Sequence, residues 1–194
     1  LKYNSFRKIF YTAENIRLHK LADLNLTFDN TNMYNNIRFP NWLRCMDPPS
    51  PIMNLNNETK RVLTPKKTAK FCCFVYSNNV KARNNFCKQL SLYKKVDCGG
   101  GCLNNIGGKV KNKIKFQSKY KFAIAFENSA YPGYCTEKII DAYNSNCIPI
   151  YGGSKTVSDD FNPETFINAS HFHTYDQLIR YIIKVDNDDK LYQS

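Results

Sequence analysis

The sequence predicts an α/β fold organised on a parallel, Rossmann-like sheet. Strand-like apolar runs alternate with helix-like stretches across the last two thirds of the chain, the pattern that lays helices over both faces of such a sheet. Of the 194 residues, 42% are hydrophobic and 14% aromatic, enough to build a substantial core and to exclude wholesale disorder. No apolar run approaches the roughly 20 residues that cross a bilayer. The densest, 71–76, has the length of a strand. No basic-then-apolar leader opens the chain, which begins with Leu1 rather than Met. A partial chain is therefore expected, with any leader lying upstream.

Each element follows from local pattern. Residues 1–59 are Asn-rich and carry one short strand at 8–12. A Pro-rich, aperiodic stretch at 48–65 reads as a linker between domains. The strand 71–76 then meets a Ser-Asn-Asn turn and a helix over 80–93, where Phe86, Leu90 and Tyr93 share one face. A short strand at 95–97 enters the triple glycine Gly99 to Gly101. A basic helix at 114–120 precedes the strand 122–126, and a loop leads to the helix 136–143. The strand 147–151 ends in Gly152-Gly153. A strand at 166–167 and an amphipathic helix at 175–185 complete the order, with Leu178, Ile179, Ile182 and Ile183 on the apolar side of that helix. No internal repeat is visible.

The charge is concentrated. Residues 60–121 hold 16 Lys and Arg against one acid, Asp97, a net of +15 that leaves the rest of the chain at −3 of the total +12. Such a segment attracts an anionic partner (nucleic acid, acidic membrane or a phosphorylated small molecule) or forms a solvated basic face. The eight cysteines are too sparse for a disulfide scaffold. Cys72 and Cys73 point to opposite faces of a strand as buried thiols, and only Cys98 and Cys102 are spaced as a clip. Reduced cysteines favour a cytoplasmic setting. His171 and His173 on one strand face are too few for a metal, and the acidic run 186–189 reads as a solvated helix end. Acceptor patterns for glycosylation at Asn25, Asn57 and Asn168 are what an Asn-rich chain shows by chance.

In parallel sheets ligands bind at the carboxyl ends of strands, which directs attention to 126–138. This segment begins where a strand ends and finishes on the first turn of a helix. Thr136 is placed as its N-cap, and the free amides with the positive end of the helix dipole favour a phosphate. Lys138 adds a full charge, and Glu137 offers an acceptor to sugar hydroxyls. The alternative is that Glu137 only complements the dipole and Lys138 is solvated. Ser77, Asn78 and Asn79 followed by Arg83 form a second strand-to-helix site, where a guanidinium can fork onto a diphosphate. Gly99 to Gly101 lacks the spacing of a dinucleotide fingerprint, and no G-x-x-x-x-G-K-[ST] loop is present.

The stretch KFAIAFENSAYPGYCTEKIIDAYNSNCIPIYGGS (121–154) resembles the nucleotide-sugar signature of the α-1,3/1,4-fucosyltransferases, glycosyltransferase family 10. Residues 74–113 resemble the first βα unit of that family in its bacterial form, and DFNPETFINASHF (160–172) is similar to the family's segment downstream of the signature. IFYTAEN (9–15) and NIRFPNWL (36–43) resemble two landmarks of its acceptor domain.

The resemblance implies a GT-B-like architecture: residues 61–194 as the GDP-fucose-binding Rossmann-like domain, and 1–60 as an incomplete N-terminal acceptor domain with the linker. It implies an inverting fucosyltransferase that moves fucose from GDP-fucose to a hydroxyl of an N-acetylglucosamine or glucose unit in an acceptor oligosaccharide. Glu14 matches the general base, which suits the task if burial raises its pKa. Arg83 and Lys138 match the residues on the diphosphate, Glu137 the ribose contact, and Asn128 and Tyr134 further donor positions. Ser77 and Asn78 support them, and Glu127 orients the loop. No metal ligands are implied and no cofactor is required; a divalent metal is permitted but not needed. The chain departs from the bacterial form at Gly152, where an aromatic is usual, which implies a looser donor pocket. It also lacks the opening βα units of the acceptor domain, which would leave an apolar edge bare. A bacterial-type chain would work in the cytoplasm, with peripheral membrane association in a full-length form, and a eukaryotic one at the Golgi membrane. The competing readings are an inactive GDP-sugar-binding remnant and a basic nucleic-acid-binding module.

Overall fold

A computed structural model of the protein describes residues 7–45 and 69–193. The linker expected at 48–65, the domain boundary at 60/61 and Asn57 lie outside them. Among the described residues there are two sheets, both parallel throughout. Three strands, β1 (Ile9–Tyr11), β2 (Leu24–Thr27) and β3 (Asn36–Arg38), pair in sequence order. The second sheet holds β4 (Lys70–Phe74), β5 (Val96–Cys98), β6 (Tyr120–Phe126), β7 (Ile148–Gly152) and β8 (Ile167–Asn168) in the order β5-β4-β6-β7-β8. The helices are α1 (Lys81–Leu90), α2 (Lys113–Gln117), α3 (Glu137–Asn144), α4 (Tyr175–Asn187) and α5 (Asp189–Gln193).

The order of the larger sheet reverses between β4 and β6, since β5 extends to one side and β7 to the other. A crevice opens at such a switch point, outside the strand ends. Phe86 and Leu90 of α1 and Leu178 and Ile182 of α4 cover one face, against Cys72, Phe74, Phe122 and Ile124. On the other face Ile139 and Ile140 of α3 pack on Ala125 and Tyr151, while Phe116 of α2 joins Cys73, Tyr120 and Ala123. Cys72 and Cys73 thus face opposite layers, as small apolar groups.

The smaller sheet is inverted relative to ordinary patterning. Its buried positions are polar: the Thr27 hydroxyl donates to Asn36 Oδ1 at 2.8 Å, and Asn25 Nδ2 donates to the Tyr34 carbonyl at 2.7 Å. The opposite face aligns Ile9 with Leu24 and Tyr11 with Leu26, and Leu26 with Ile37. Ile9 is 61% exposed and Ile37 57%. On that face Leu24 and Leu26 are half-buried, while Ile9, Tyr11 and Ile37 are exposed.

Several expectations are corrected. Cys98 is not clipped to Cys102; its sulfur lies 3.7 Å from that of Cys87, Cys102 bonds Asn84, and none of the eight cysteines is in a disulfide. His171 ends a 3-10 turn after β8 rather than sharing a strand face with His173. Asp186 is no solvated helix end: buried, it receives Lys121 Nζ at 2.7 Å and Lys94 Nζ at 2.6 Å. Asp97 likewise pairs with Lys70 and Lys95, so four lysines of the basic segment serve buried carboxylates. At Gly152 the expected loosening is offset, because an added Cβ would come within 2.9 Å of the Phe126 ring, which already fills that space.

Candidate donor-binding site

The strand ends of β4 and β6 and the start of α3 enclose an open cavity of about 180 Å³. Ser77, Asn78, Arg83, Lys113, Asn128, Glu137 and Lys138 line it, over the backbone of Val75 and Tyr76. Three cations therefore face one carboxylate.

Arg83 projects from the first turn of α1 and is 1% exposed. Its guanidinium lies 3.7 Å from the Tyr76 ring centroid. Nη1 donates to Asn128 Oδ1 at 2.8 Å and Nη2 to the Asn78 carbonyl at 2.7 Å, while the buried Nε has no partner. Burial lowers its pKa, the cost of holding a cation out of water. Tyr76, which sequence reasoning missed, is fixed by its hydroxyl donating to the Ile124 carbonyl at 2.8 Å. Behind it sits Gly100, where a Cβ would fall 2.0 Å from the Tyr76 carbonyl oxygen. The triple glycine is thus a close backbone approach that supports the platform.

Lys138 reaches back over the start of α3. Its Nζ lies 2.6 Å from Thr136 Oγ1, 2.9 Å from Glu127 Oε2 and 3.3 Å from Glu137 Oε1. Burial opposes its ammonium, but the two carboxylates more than compensate and raise its pKa. Burial pushes the Glu127 carboxyl up against the pull of Lys138. Burial acts on Glu137 in the same sense, yet Lys138 and nearby donors hold it below its ordinary range. Thr136 occupies the N-cap position without capping: its hydroxyl donates to Glu127 Oε2 at 2.7 Å, and its amide to Oε1 at 2.8 Å. The N-terminus of α3 therefore has no side-chain cap of its own.

Of the residues expected from sequence, the fold gathers Ser77, Asn78, Arg83, Asn128, Glu137 and Lys138 around one hollow, with Glu127 directly behind Lys138. Tyr134 does not line it. That ring is buried against Phe28 at 5.1 Å, and burial pushes its hydroxyl up to about 12. Glu14 is exposed, so the burial expected of a base is not present around it. Its loop nevertheless packs on the 127–136 loop: Asn15 Nδ2 donates to Ser129 Oγ at 2.8 Å, and Arg17 lies between the rings of Tyr131 and Phe28 at 3.6 and 4.3 Å. Sequence reasoning also missed Lys113. Its signal was its place in the lysine-rich run 109–115, but nothing in spacing distinguished it from its exposed neighbours. Among the described residues no group of three or more metal-ligating side chains converges.

A parallel sheet with a cationic hollow at its switch point defines an α/β protein built to hold a phosphorylated ligand. The family model described as glycosyltransferase family 10 (fucosyltransferase) C-term matches residues 64–194, and the chain belongs to that family. It is 50% identical over 113 residues to the α-(1,3)-fucosyltransferase FucT of Helicobacter pylori, covering 58% of this chain and 24% of that one. Over 133 residues it is 31% identical to mouse 4-galactosyl-N-acetylglucosaminide 3-α-L-fucosyltransferase 9, covering 64% and 36%. A crystal structure of an α1,3-fucosyltransferase with GDP-fucose superposes with a TM-score of 0.81 at 32% identity, covering 96% of this chain and 64% of that one. The same enzyme class with GDP superposes at 0.80. The chain spans about a quarter of the length of the first of these relatives and under two thirds of the solved structures. No helix among the described residues is long and apolar enough to cross a membrane.

Proposed function

We propose that this chain binds GDP-fucose and belongs to an inverting fucosyltransferase acting on an N-acetylglucosamine or glucose unit of a glycan. The observation that carries the reading is the shared hollow of Arg83 and Lys138 at the uncapped start of α3. Residues 61–194 are the donor side and 1–60 part of the acceptor side. The diphosphate lies on Arg83, Lys138 and the first amides of α3, with Glu137 on the ribose. Asn128 completes the donor contacts, Ser77 and Asn78 line them, and Glu127 orients Lys138, while Tyr134, packed on Phe28 outside the hollow, holds the 127–136 loop in place.

In transfer, the acceptor hydroxyl oxygen attacks C1 of fucose as Glu14 takes its proton. The bond from C1 to the β-phosphate oxygen breaks, and GDP departs with the electron pair. Buried cations already in place stabilise that growing charge without rearrangement. Glu14 is exposed here, so an acceptor seated on its loop would supply the desolvation a base needs. A cytoplasmic setting is supported by seven buried thiols held outside any disulfide.

Thermal unfolding with GDP tests the donor reading. At a hundredfold excess over Kd the stabilisation is about 2.7 kcal/mol, or roughly 5–10 °C for a chain of this size. No shift at saturating GDP refutes it. Glu14→Gln separates a catalyst from a GDP-sugar-binding remnant: a catalyst loses kcat and keeps GDP affinity, whereas a remnant has no transfer to lose.

A further inference from the structure

We propose that Arg17 is a positioning residue for the transfer step, fixing the Glu14 loop against the 127–136 loop. The inference rests on the role of Glu14 proposed above. Bonds within its own turn shape the Glu14 loop: the Glu14 amide donates to Thr12 Oγ1 at 3.1 Å, and the Ile16 amide to the Glu14 carbonyl at 2.7 Å. Neither bond relates that loop to the donor hollow. Glu14, Asn15 and Ile16 are all exposed, so burial does not place them either. Misplacing a reacting group by about 1 Å costs on the order of a hundredfold in rate, so an exposed base on a loop needs an outside reference.

Arg17 supplies it. A planar guanidinium can bond along its edge and stack on its face at once. Nη1 donates to Asp29 Oδ1 at 2.6 Å, which ties the side chain to a buried carboxylate just beyond β2. Nη2 donates to Asn15 Oδ1, also at 2.6 Å. The guanidinium carbon lies 3.6 Å from the Tyr131 ring centroid and 4.3 Å from that of Phe28. Asn15, next to Glu14, is therefore held from two sides, because its Nδ2 donates to Ser129 Oγ at 2.8 Å. Ser129 and Tyr131 belong to the loop whose two ends meet at Glu127. That carboxylate accepts the Thr136 hydroxyl and amide, and lies 2.9 Å from Lys138 Nζ. Through Arg17 the base and the diphosphate cation share one frame. A lone exposed ion pair would do little, but this one joins two loops through bonds and rings together.

The test is steady-state transfer from GDP-fucose to galactosyl-N-acetylglucosamine and galactosyl-glucose disaccharides, alongside GDP titration and thermal melts. Arg17→Met should lower kcat roughly tenfold or more, with the KM for GDP-fucose and the Kd for GDP within about twofold of the parent. Arg17→Lys keeps a cation beside the rings but loses the fork, and should restore part of kcat. Should the methionine variant not fold, Tyr131→Leu removes the stacking partner and is read in the same way. An unchanged kcat overturns the inference. So does an equal loss of kcat and GDP affinity, which would make Arg17 a prop for the fold alone. A parent chain that binds GDP yet transfers fucose to neither acceptor overturns this inference and the role of Glu14 together, while the donor reading stands. A parent chain that binds no GDP overturns the donor reading as well.

Discussion

Lys138 is held by Thr136, Glu127 and Glu137 before any ligand arrives, so its removal has two separable effects. Lys138→Met leaves the Glu127 carboxylate buried without its cation, at a cost of about 3–5 kcal/mol. Adding Glu127→Gln removes the orphaned charge, and the double variant should regain most of that stability in thermal melts. GDP affinity should not return with it. A double variant that binds GDP as the parent does would take Lys138 off the diphosphate. Gly100 makes a simpler case. Gly100→Ala drives a methyl group into the Tyr76 backbone, with contacts of 2.0 and 2.4 Å, and should lower stability by about 3 kcal/mol in urea unfolding. The residues of this site were not equally legible in the sequence. Lys138 was readable because it sits on the first turn after a strand end, where a cation has a reason to be. Tyr76 was not, since an aromatic closing an apolar run looks like core until Arg83 is seen lying across it.

Among the elements, α4 carries a pH-dependent lock. Burial alone would push the Asp186 carboxyl up, but Lys121 and Lys94 overcome this and hold it below its ordinary value of 3.8. A depressed native pKa favours the folded state at pH values well above 3.8, and that contribution disappears as the pH falls through the lowered value. Asp186→Asn should therefore destabilise by about 1–3 kcal/mol at neutral pH and flatten the acid limb of the stability profile. An acid limb identical to that of the parent would exclude the lock. The same comparison shows why some elements were readable. In α1, α3 and α4 the buried residues recur at helical spacing, and β4, β6 and β7 are continuous apolar runs. β2 and β3 escaped because their inward residues are Asn25, Thr27 and Asn36, satisfied by one another and by nearby backbone, while Leu24, Leu26 and Ile37 face outward. A rule that seeks hydrophobic residues inside finds no strand there.

At the scale of the whole molecule, the two sheets are joined by a few directed contacts. Arg38 forks onto Asp160 at 2.8 and 2.7 Å, and the Trp42 indole N–H donates to the same carboxylate at 3.2 Å. Trp42 also packs on Phe161 at 5.1 Å and is the only tryptophan in the sequence, so its emission reports on this junction. Asp160→Ala should shift that emission to longer wavelength and reduce stability by about 1–3 kcal/mol. An unshifted spectrum would mean that the junction stands without the carboxylate. The Asn15–Ser129 hydrogen bond and the packing of Phe28 on Tyr134 add a second set of contacts between the β1–β3 region and the 127–136 loop.

The burial of Arg83 and Lys138 has a consequence for solution behaviour. Dissolved ions shield charges they can surround, and neither of these cations can be surrounded. GDP should accordingly stay bound as sodium chloride is raised, losing only a small part of its affinity. Polyanions resting on the outer lysines would be stripped away over the same range, because their hold depends on releasing condensed counterions.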